Sequence, residues 1–191
     1  PLPNKTIVRS IEIGDDNRVY VGGQDEIGFF SPDLQGKLKY TSILELLPQK
    51  DRSIGDVWDI VAVKKSIFFR SASKILKLID NNIAIYNAPT EWSFLGFCND
   101  KIYAHDYNVG LMIFENNHWT PISTNNKLPT NNPVTAILHY KKDSILITTL
   151  KTGIYVLSNN TFSKIQSTNN TIFENQRIYS ATKVNDDWLA L

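Results

Sequence analysis

The stretch KIYAHDYNVGLMIFENNHWTPI at residues 101–122 recurs as SILITTLKTGIYVLSNNTFSKI at 144–165, an offset of 43 residues with no gap. Gly110 falls on Gly153, Asn116-Asn117 on Asn159-Asn160, Trp119 on Phe162 and Ile122 on Ile165. Apolar residues coincide at Ile102/Ile145, Leu111/Ile154 and Ile113/Val156. Such self-similarity constrains a fold more than composition does. Each copy must be one supersecondary unit that cannot bury its apolar surface alone, so the copies must stack. Weaker copies extend the array. Residues 66–86 align at an offset of 35 and put Asn81-Asn82 on Asn116-Asn117; residues 18–33 align with one inserted residue and bring Gly28 onto Gly110. A fifth copy begins at 186–191.

Each copy reads as four strands. The first strands are expected over 8–13, 57–63, 93–97, 134–140 and 178–184, and the second strands start near Val19, Ile67, Ile102, Ile145 and Trp188. Third strands follow over 27–30, 75–79, 111–114 and 154–157, and fourth strands over 39–44, 83–86, 119–122 and 162–165. These runs are rich in β-branched and aromatic residues. Asp15-Asp16-Asn17, Asn99-Asp100, Lys142-Asp143 and Asp186-Asp187 separate first from second strands, where tight hairpins favour Asn and Asp. Pro48, Pro89, Pro129 and Pro133 sit between copies, where a missing N–H removes no ladder bond. Only 43–47 has any helical character, and it is too short to form a stable helix.

The second strands are spaced by 48, 35, 43 and 43 residues, the range of a propeller blade. The expected fold is therefore all-β: a β-propeller of four four-stranded antiparallel blades plus the start of a fifth. The units lie at about 6–50, 56–88, 92–128, 133–172 and 177–191, in one continuous array. Four blades and a fragment do not close a ring, so the array is expected to belong to a larger propeller of about seven blades.

Twenty basic and nineteen acidic residues leave a formal charge of +1 with no block of one sign, which argues against nucleic acid as a partner. The single Cys98 excludes an internal disulfide and a paired-cysteine zinc site; its apolar surroundings suit a buried, inert thiol. No apolar run approaches the ~20 residues that span a bilayer, so membrane attachment is expected only through a flanking segment. No loop has the alternating Asp/Asn spacing of a calcium site, and His118 and His139 stand apart from other ligands, so neither metal nor cofactor is expected.

The hairpin between second and third strands resembles the two-component regulator propeller repeat. Gly110-Leu111-Met112-Ile113-Phe114 and Gly153-Ile154-Tyr155-Val156-Leu157 match its glycine-led strand, and Val19-Tyr20-Val21-Gly22-Gly23 matches the strand before it. Ile75 stands where the second unit should have glycine. The resemblance implies an extracytoplasmic, periplasmic sensor region of a membrane-anchored regulator. There such propellers sense ligands, often glycans or their fragments, or serve in dimerisation, with kinase or DNA-binding output modules elsewhere in the polypeptide.

In a propeller the loops joining second to third strands share a face with those joining one blade to the next, and loops carry function more often than strands. The candidate ligand-binding residues are Gln24, Asp25, Asp56, Trp58, Glu91, Trp92, His105, Asp106 and Tyr107. His105-Asp106-Tyr107 reads either as a ligand contact or as an ordinary polar loop. A catalytic pair would need a third partner, and adjacent strand residues point to opposite faces. Trp58 and Trp92, at blade junctions, suit either a sugar platform or blade packing. Asn131-Asn132 belongs to the same set of loops. The Asn-x-Thr stretches starting at Asn4, Asn159 and Asn169 fit chance in an Asn-rich chain.

The expected function is a non-enzymatic sensor that binds a carbohydrate or other small ligand and self-associates through faces or edges of the propeller. The rivals are a glycan-active hydrolase or lyase using Asp56, Glu91 or His105, and a scaffold binding only proteins.

Overall fold

In the computed structural model the described residues are 2–129, 132–166, 168, 170–185 and 187–190. Their strands follow the hairpin punctuation. The first two blades comprise β1 (Ser10–Ile13), β2 (Val19–Gly23), β3 (Glu26–Pro32) and β4 (Leu38–Ser42), then β5 (Asp59–Val63), β6 (Ser66–Arg70), β7 (Lys74–Ile79) and β8 (Asn82–Asn87). The third comprises β9 (Trp92–Cys98), β10 (Lys101–Asp106), β11 (Gly110–Glu115) and β12 (His118–Pro121), and the fourth β13 (Val134–His139), β14 (Ile145–Thr149), β15 (Gly153–Ser158) and β16 (Thr161–Lys164). A last hairpin pairs β17 (Ala181–Val184) with β18 (Asp187–Ala190). Every sheet is a meander in which each strand pairs with its sequence neighbour, the arrangement of β-propeller blades. The sequence-based strand boundaries hold to within three residues.

Burial explains the apolar runs. The second strands are covered on both faces, and all five residues of β14 are buried, whereas the fourth strands β4 and β12 are almost wholly open. The chain divides into two compact units, residues 1–95 and 96–191, with the division inside β9. In the first unit the core lies between the sheets β1–β4 and β5–β8. Tyr20, Ile27 and Val57 pack with Ile60, Phe69, Leu76 and Leu78, and the Tyr20 ring meets Phe69 edge-on at 6.2 Å. In the second unit Tyr103, Leu111, Met112, Ile137, Leu146 and Ile147 are buried.

Asn116-Asn117 and Asn159-Asn160 are paired left-handed turns, with φ of 50° and 61° and of 47° and 60°. Asn99-Asp100 repeats the pattern at 50° and 58°. Asparagine is tolerated there because its short polar side chain supports positive φ. Two repeat alignments shift. In the second blade the residues between paired Ile79 and Asn82 are Asp80-Asn81, so Asn82 opens β8 instead of completing the turn. Gly28 does not match Gly110, which has φ of 92° at the tip of its hairpin. Gly28 lies mid-strand opposite Val21, and a Cβ there would collide with the Tyr40 ring and the Thr41 carbonyl. One glycine serves backbone conformation and the other close packing. No residue from 71 to 75 has positive φ, which is why Ile75 needs no glycine. A short helix, α1 (Asn170–Asn175), also interrupts the β pattern; six residues are too few to leave a periodic signal.

An ion pair with Arg70 buried and Asp59 partly exposed links β5 and β6 to the start of β9. The Arg70 guanidinium, on β6, meets the Asp59 carboxylate of β5 at 2.7 Å, and its Nη1 donates to the Trp92 carbonyl at 3.2 Å. The same Asp59 oxygen accepts the Leu95 N–H at 2.9 Å. Burial pushes the Asp59 carboxyl up, while Arg70 and the Leu95 N–H pull it down. Arg70→Met would leave that carboxylate without its cation and should lower the urea-unfolding free energy of the chain by about 3 kcal/mol. Asp59→Asn combined with Arg70→Met should recover much of the loss. A single variant as stable as the parent would show that the pair contributes nothing.

Candidate functional site

In the first unit the loop after β2 is stitched to the connection entering β5. Asp25, at φ 48°, accepts the N–H groups of Ile54 and Gly55 on its carboxylate at 2.8 and 2.7 Å. Its own N–H donates to the Gly55 carbonyl at 2.9 Å, and Gln24 forms an antiparallel bridge with Asp56. The Asp25 side chain is thus committed to holding the connection, which brings Gln24, Asp56 and Trp58 together.

Arg9, which precedes β1, completes the group. Its Nε donates to the Asp56 carboxylate at 3.1 Å, and its guanidinium carbon lies 5.1 Å from the Trp58 ring centroid. Trp58 keeps 47% of its surface exposed. Its backbone N–H donates to the Arg70 carbonyl at 2.9 Å, which fixes its place at the start of β5. With the Arg9 guanidinium over one face of the ring and about half of the indole exposed, Trp58 sets an aromatic surface next to a donor and, through the Arg9–Asp56 pair, an acceptor. Sequence reading missed Arg9, because one arginine before a strand carries no local signal.

Trp92 has another environment. It is 1% exposed, its indole N–H donates to the Tyr86 carbonyl at 3.4 Å, and its backbone N–H donates to the Ala72 carbonyl at 2.8 Å. It has no open face for a ligand. Glu91 beside it is exposed.

In the second unit His105 and Asp106 end β10. Asp106 is fully buried, and its Oδ1 accepts the N–H groups of Asn108 and Val109 at 3.1 and 3.0 Å, closing the β10–β11 loop. Thr149, opposite Gly153 as Asp106 is opposite Gly110, donates to the Gly153 carbonyl at 2.8 Å. One repeat position therefore braces the hairpin with a carboxylate in one blade and a hydroxyl in the next. His105 is buried, and burial lowers its pKa from an ordinary value near 6.5 to about 4, against the pull of Asp106. The Tyr107 ring meets it edge-on at 6.4 Å. His105, Tyr107, Lys127, Leu128 and Phe162 help line a cavity of about 80 Å³, room for a few waters but not for a sugar ring with its contacts. Asn132 braces the neighbouring loop by accepting the Lys151 N–H at 2.8 Å; Asn131 lies outside the described residues.

Larger clefts open at the opposite ends of the sheets. In the first unit a cleft of about 490 Å³ runs between the β1–β2 and β5–β6 turns, lined by Asp16, Arg18, Tyr20, Lys64, Lys65 and Asp80 among others. In the second unit Lys101, Tyr103, Asp143 and Asn159 help line one of about 350 Å³. Asp16 accepts the Arg18 N–H and the Tyr20 hydroxyl at 3.1 and 2.9 Å, as turn chemistry requires. Asp186 and Asn169 lie outside the described residues. Among the described residues no three His, Cys, Asp or Glu side chains sit close enough to hold a metal, and no helix is long and apolar enough to cross a membrane.

No family model matches the chain, and no curated protein shows significant sequence similarity to it. Solved structures do match its fold. Virginiamycin B lyase from Staphylococcus aureus superposes with a TM-score of 0.70 at 19% identity, covering 100% of this chain and 65% of the lyase. The extracellular domain assigned to a one-component system of B. thetaiotaomicron gives 0.71 at 17% identity, covering 98% of this chain and 25% of that one. The extracellular domain assigned to a hybrid two-component system of the same organism gives 0.65 at 18%, covering 92% and 24%. The chain spans less than two thirds of the length of each, and at these identities the likeness establishes the β-propeller fold.

The neutral His105 makes stability pH-dependent. A histidine whose folded pKa is depressed binds its proton more readily when unfolded, so stability is full above the unfolded value near 6.5. It falls as pH drops from there through about 4, by up to about 3 kcal/mol at one pKa unit per 1.36 kcal/mol. Urea titrations at pH 7 and pH 4.5 should show this loss in the parent and a smaller one in His105→Gln. Equal pH slopes in the two proteins would refute the assignment.

Proposed function

We propose that this chain is a non-catalytic, ligand-binding segment of a bacterial extracytoplasmic sensor, and that it takes a glycan or glycan fragment on the patch formed by Arg9, Gln24, Asp56 and Trp58. The observation that carries this reading is the half-exposed Trp58 indole with the Arg9–Asp56 pair beside it. A sugar ring lays its C–H face on an indole plane and directs hydroxyls outward to donors and acceptors at the rim. Arg9 and Asp56 are 33% and 30% exposed, so their mutual attraction is worth only about 0–1 kcal/mol. Exchanging it for bonds to vicinal hydroxyls therefore costs little.

The patch also stands where a signal would start. Asp56 lies beside the junction that Asp25 stitches to the β2–β3 loop, so a ligand pulling on Asp56 acts on the connection between two blades. The likeness to extracellular domains of one-component and hybrid two-component systems supports a sensor role for such a segment.

A lyase is the competing reading, favoured by the equal likeness to virginiamycin B lyase. Its most suitable base would be His105, which is uncharged at neutral pH. A glycan array probed with the chain should show bound oligosaccharides that are recovered unmodified. Trp58→Ala should weaken that binding at least tenfold with an unchanged circular dichroism spectrum, as expected when a stacking platform of ~1–3 kcal/mol is removed. An array without signal, or a Trp58→Ala variant binding like the parent, would overturn the sugar reading. Turnover that His105→Gln abolishes would establish the lyase.

A further inference from the structure

Trp58 precedes β5 and Lys64-Lys65 follow it, so the cleft between the β1–β2 and β5–β6 turns lies at the other end of the sheet from the Trp58 patch. All the residues that line it belong to the first unit. Its volume of about 490 Å³ is that of a small-molecule site. The floor follows from the repeat. Tyr20 on β2 clusters with Ile67 and Leu78, a cross-strand pair on β6 and β7, and each of the three is at most 4% exposed. In the second unit Tyr103, Ile145 and Leu157 stand at the same repeat positions in the cleft of about 350 Å³. The rims differ: where the first cleft has Lys65 and Asp80, the second has Asp143 and Asn159. Sheet stacking thus dictates the floor but not the charges around it.

Both signs of charge ring the first cleft, and they differ in what they are committed to. Asp16 accepts the Arg18 N–H and the Tyr20 hydroxyl, and the Arg18 Nε lies 3.5 Å from its carboxylate. The Arg18 guanidinium is further held over the Phe29 ring, 4.3 Å from its centroid. Lys64 and Lys65 sit on one turn, and Asp15 and Asp80 on two others. Among the described residues none of these four makes a side-chain hydrogen bond or ion pair. A closed apolar floor below uncommitted ammonium and carboxylate groups complements neither a neutral sugar nor a simple anion. It complements a molecule with an apolar body and both charges.

We propose that this cleft binds a free α-amino acid with a large apolar side chain, as a second ligand site separate from the Trp58 patch. The side chain covers Tyr20, Ile67 and Leu78, the carboxylate meets Lys64 and Lys65, and the ammonium meets Asp15 or Asp80. Hydrogen bonds between ionised partners are about twice as strong as neutral ones, so both ends of the ligand are read by charge while the floor selects its body.

Isothermal titration of the intact 191-residue chain with L-phenylalanine should show saturable binding. It should be at least tenfold tighter than with N-acetyl-phenylalanine amide, which lacks both charges, or phenylpropanoate, which lacks the ammonium. Lys64→Asn with Lys65→Gln removes both cations and keeps a residue suited to the φ of 53° at position 64. It should weaken binding at least tenfold with an unchanged circular dichroism spectrum. Trp58→Ala should bind phenylalanine as the parent does, which separates this site from the glycan patch. In methyl-labelled parent protein phenylalanine should shift the Ile67 and Leu78 resonances, a readout independent of whether any variant folds. The inference is overturned by a parent without heat or methyl shifts at millimolar phenylalanine, by either analogue binding as tightly, or by a lysine-pair variant that binds like the parent.

Discussion

A four-stranded antiparallel sheet whose two faces are both apolar has no stable existence in water, and the rest of this structure depends on that constraint. The buried second strands, Tyr20 against Phe69 in the first unit and the fully covered β14 in the second, follow from stacking one sheet on another. Outward along each sheet the need fades, and β4 and β12 carry mostly exposed residues. The connections then hold neighbouring sheets at contact distance, which accounts for the polar groups buried at the junctions.

Those junctions explain why so much loop chemistry is unavailable to a ligand. Asp25, Asp106, Thr149 and Asn132 each spend side-chain bonding capacity on backbone groups. A buried acceptor or donor left unmade costs about 1–3 kcal/mol, so a loop that turns inside a packed stack recruits its own side chains first. The stack leaves other polar and aromatic groups outside, among them Trp58 with Arg9 and Asp56.

The fold was legible in the sequence because repeat and hairpin signals are local. Asparagine pairs set turns by their own φ, and apolar runs between them had no other stable reading. Legibility failed where one residue type serves two physical purposes. Gly28 and Gly110 look alike as letters, yet one makes room for Tyr40 and the other bends a hairpin. The candidate patch was half visible: Gln24, Asp56 and Trp58 followed from loop position, whereas Arg9 reaches them across 47 residues of chain, a distance no local pattern encodes. The burial of Trp92 was likewise hidden, because a blade-junction tryptophan looks the same in sequence whether it packs or faces water.

The meander topology has a consequence for the order in which the chain acquires structure. Every strand pairs with the strand just before or after it, so each hairpin closes a loop of only a few residues, at small entropic cost. Contacts between blades in the first unit bridge longer spans, such as the 36 residues between Asp59 and Leu95. A chain emerging from the ribosome can therefore complete one sheet before the next is made, and each finished sheet becomes the template on which its successor condenses.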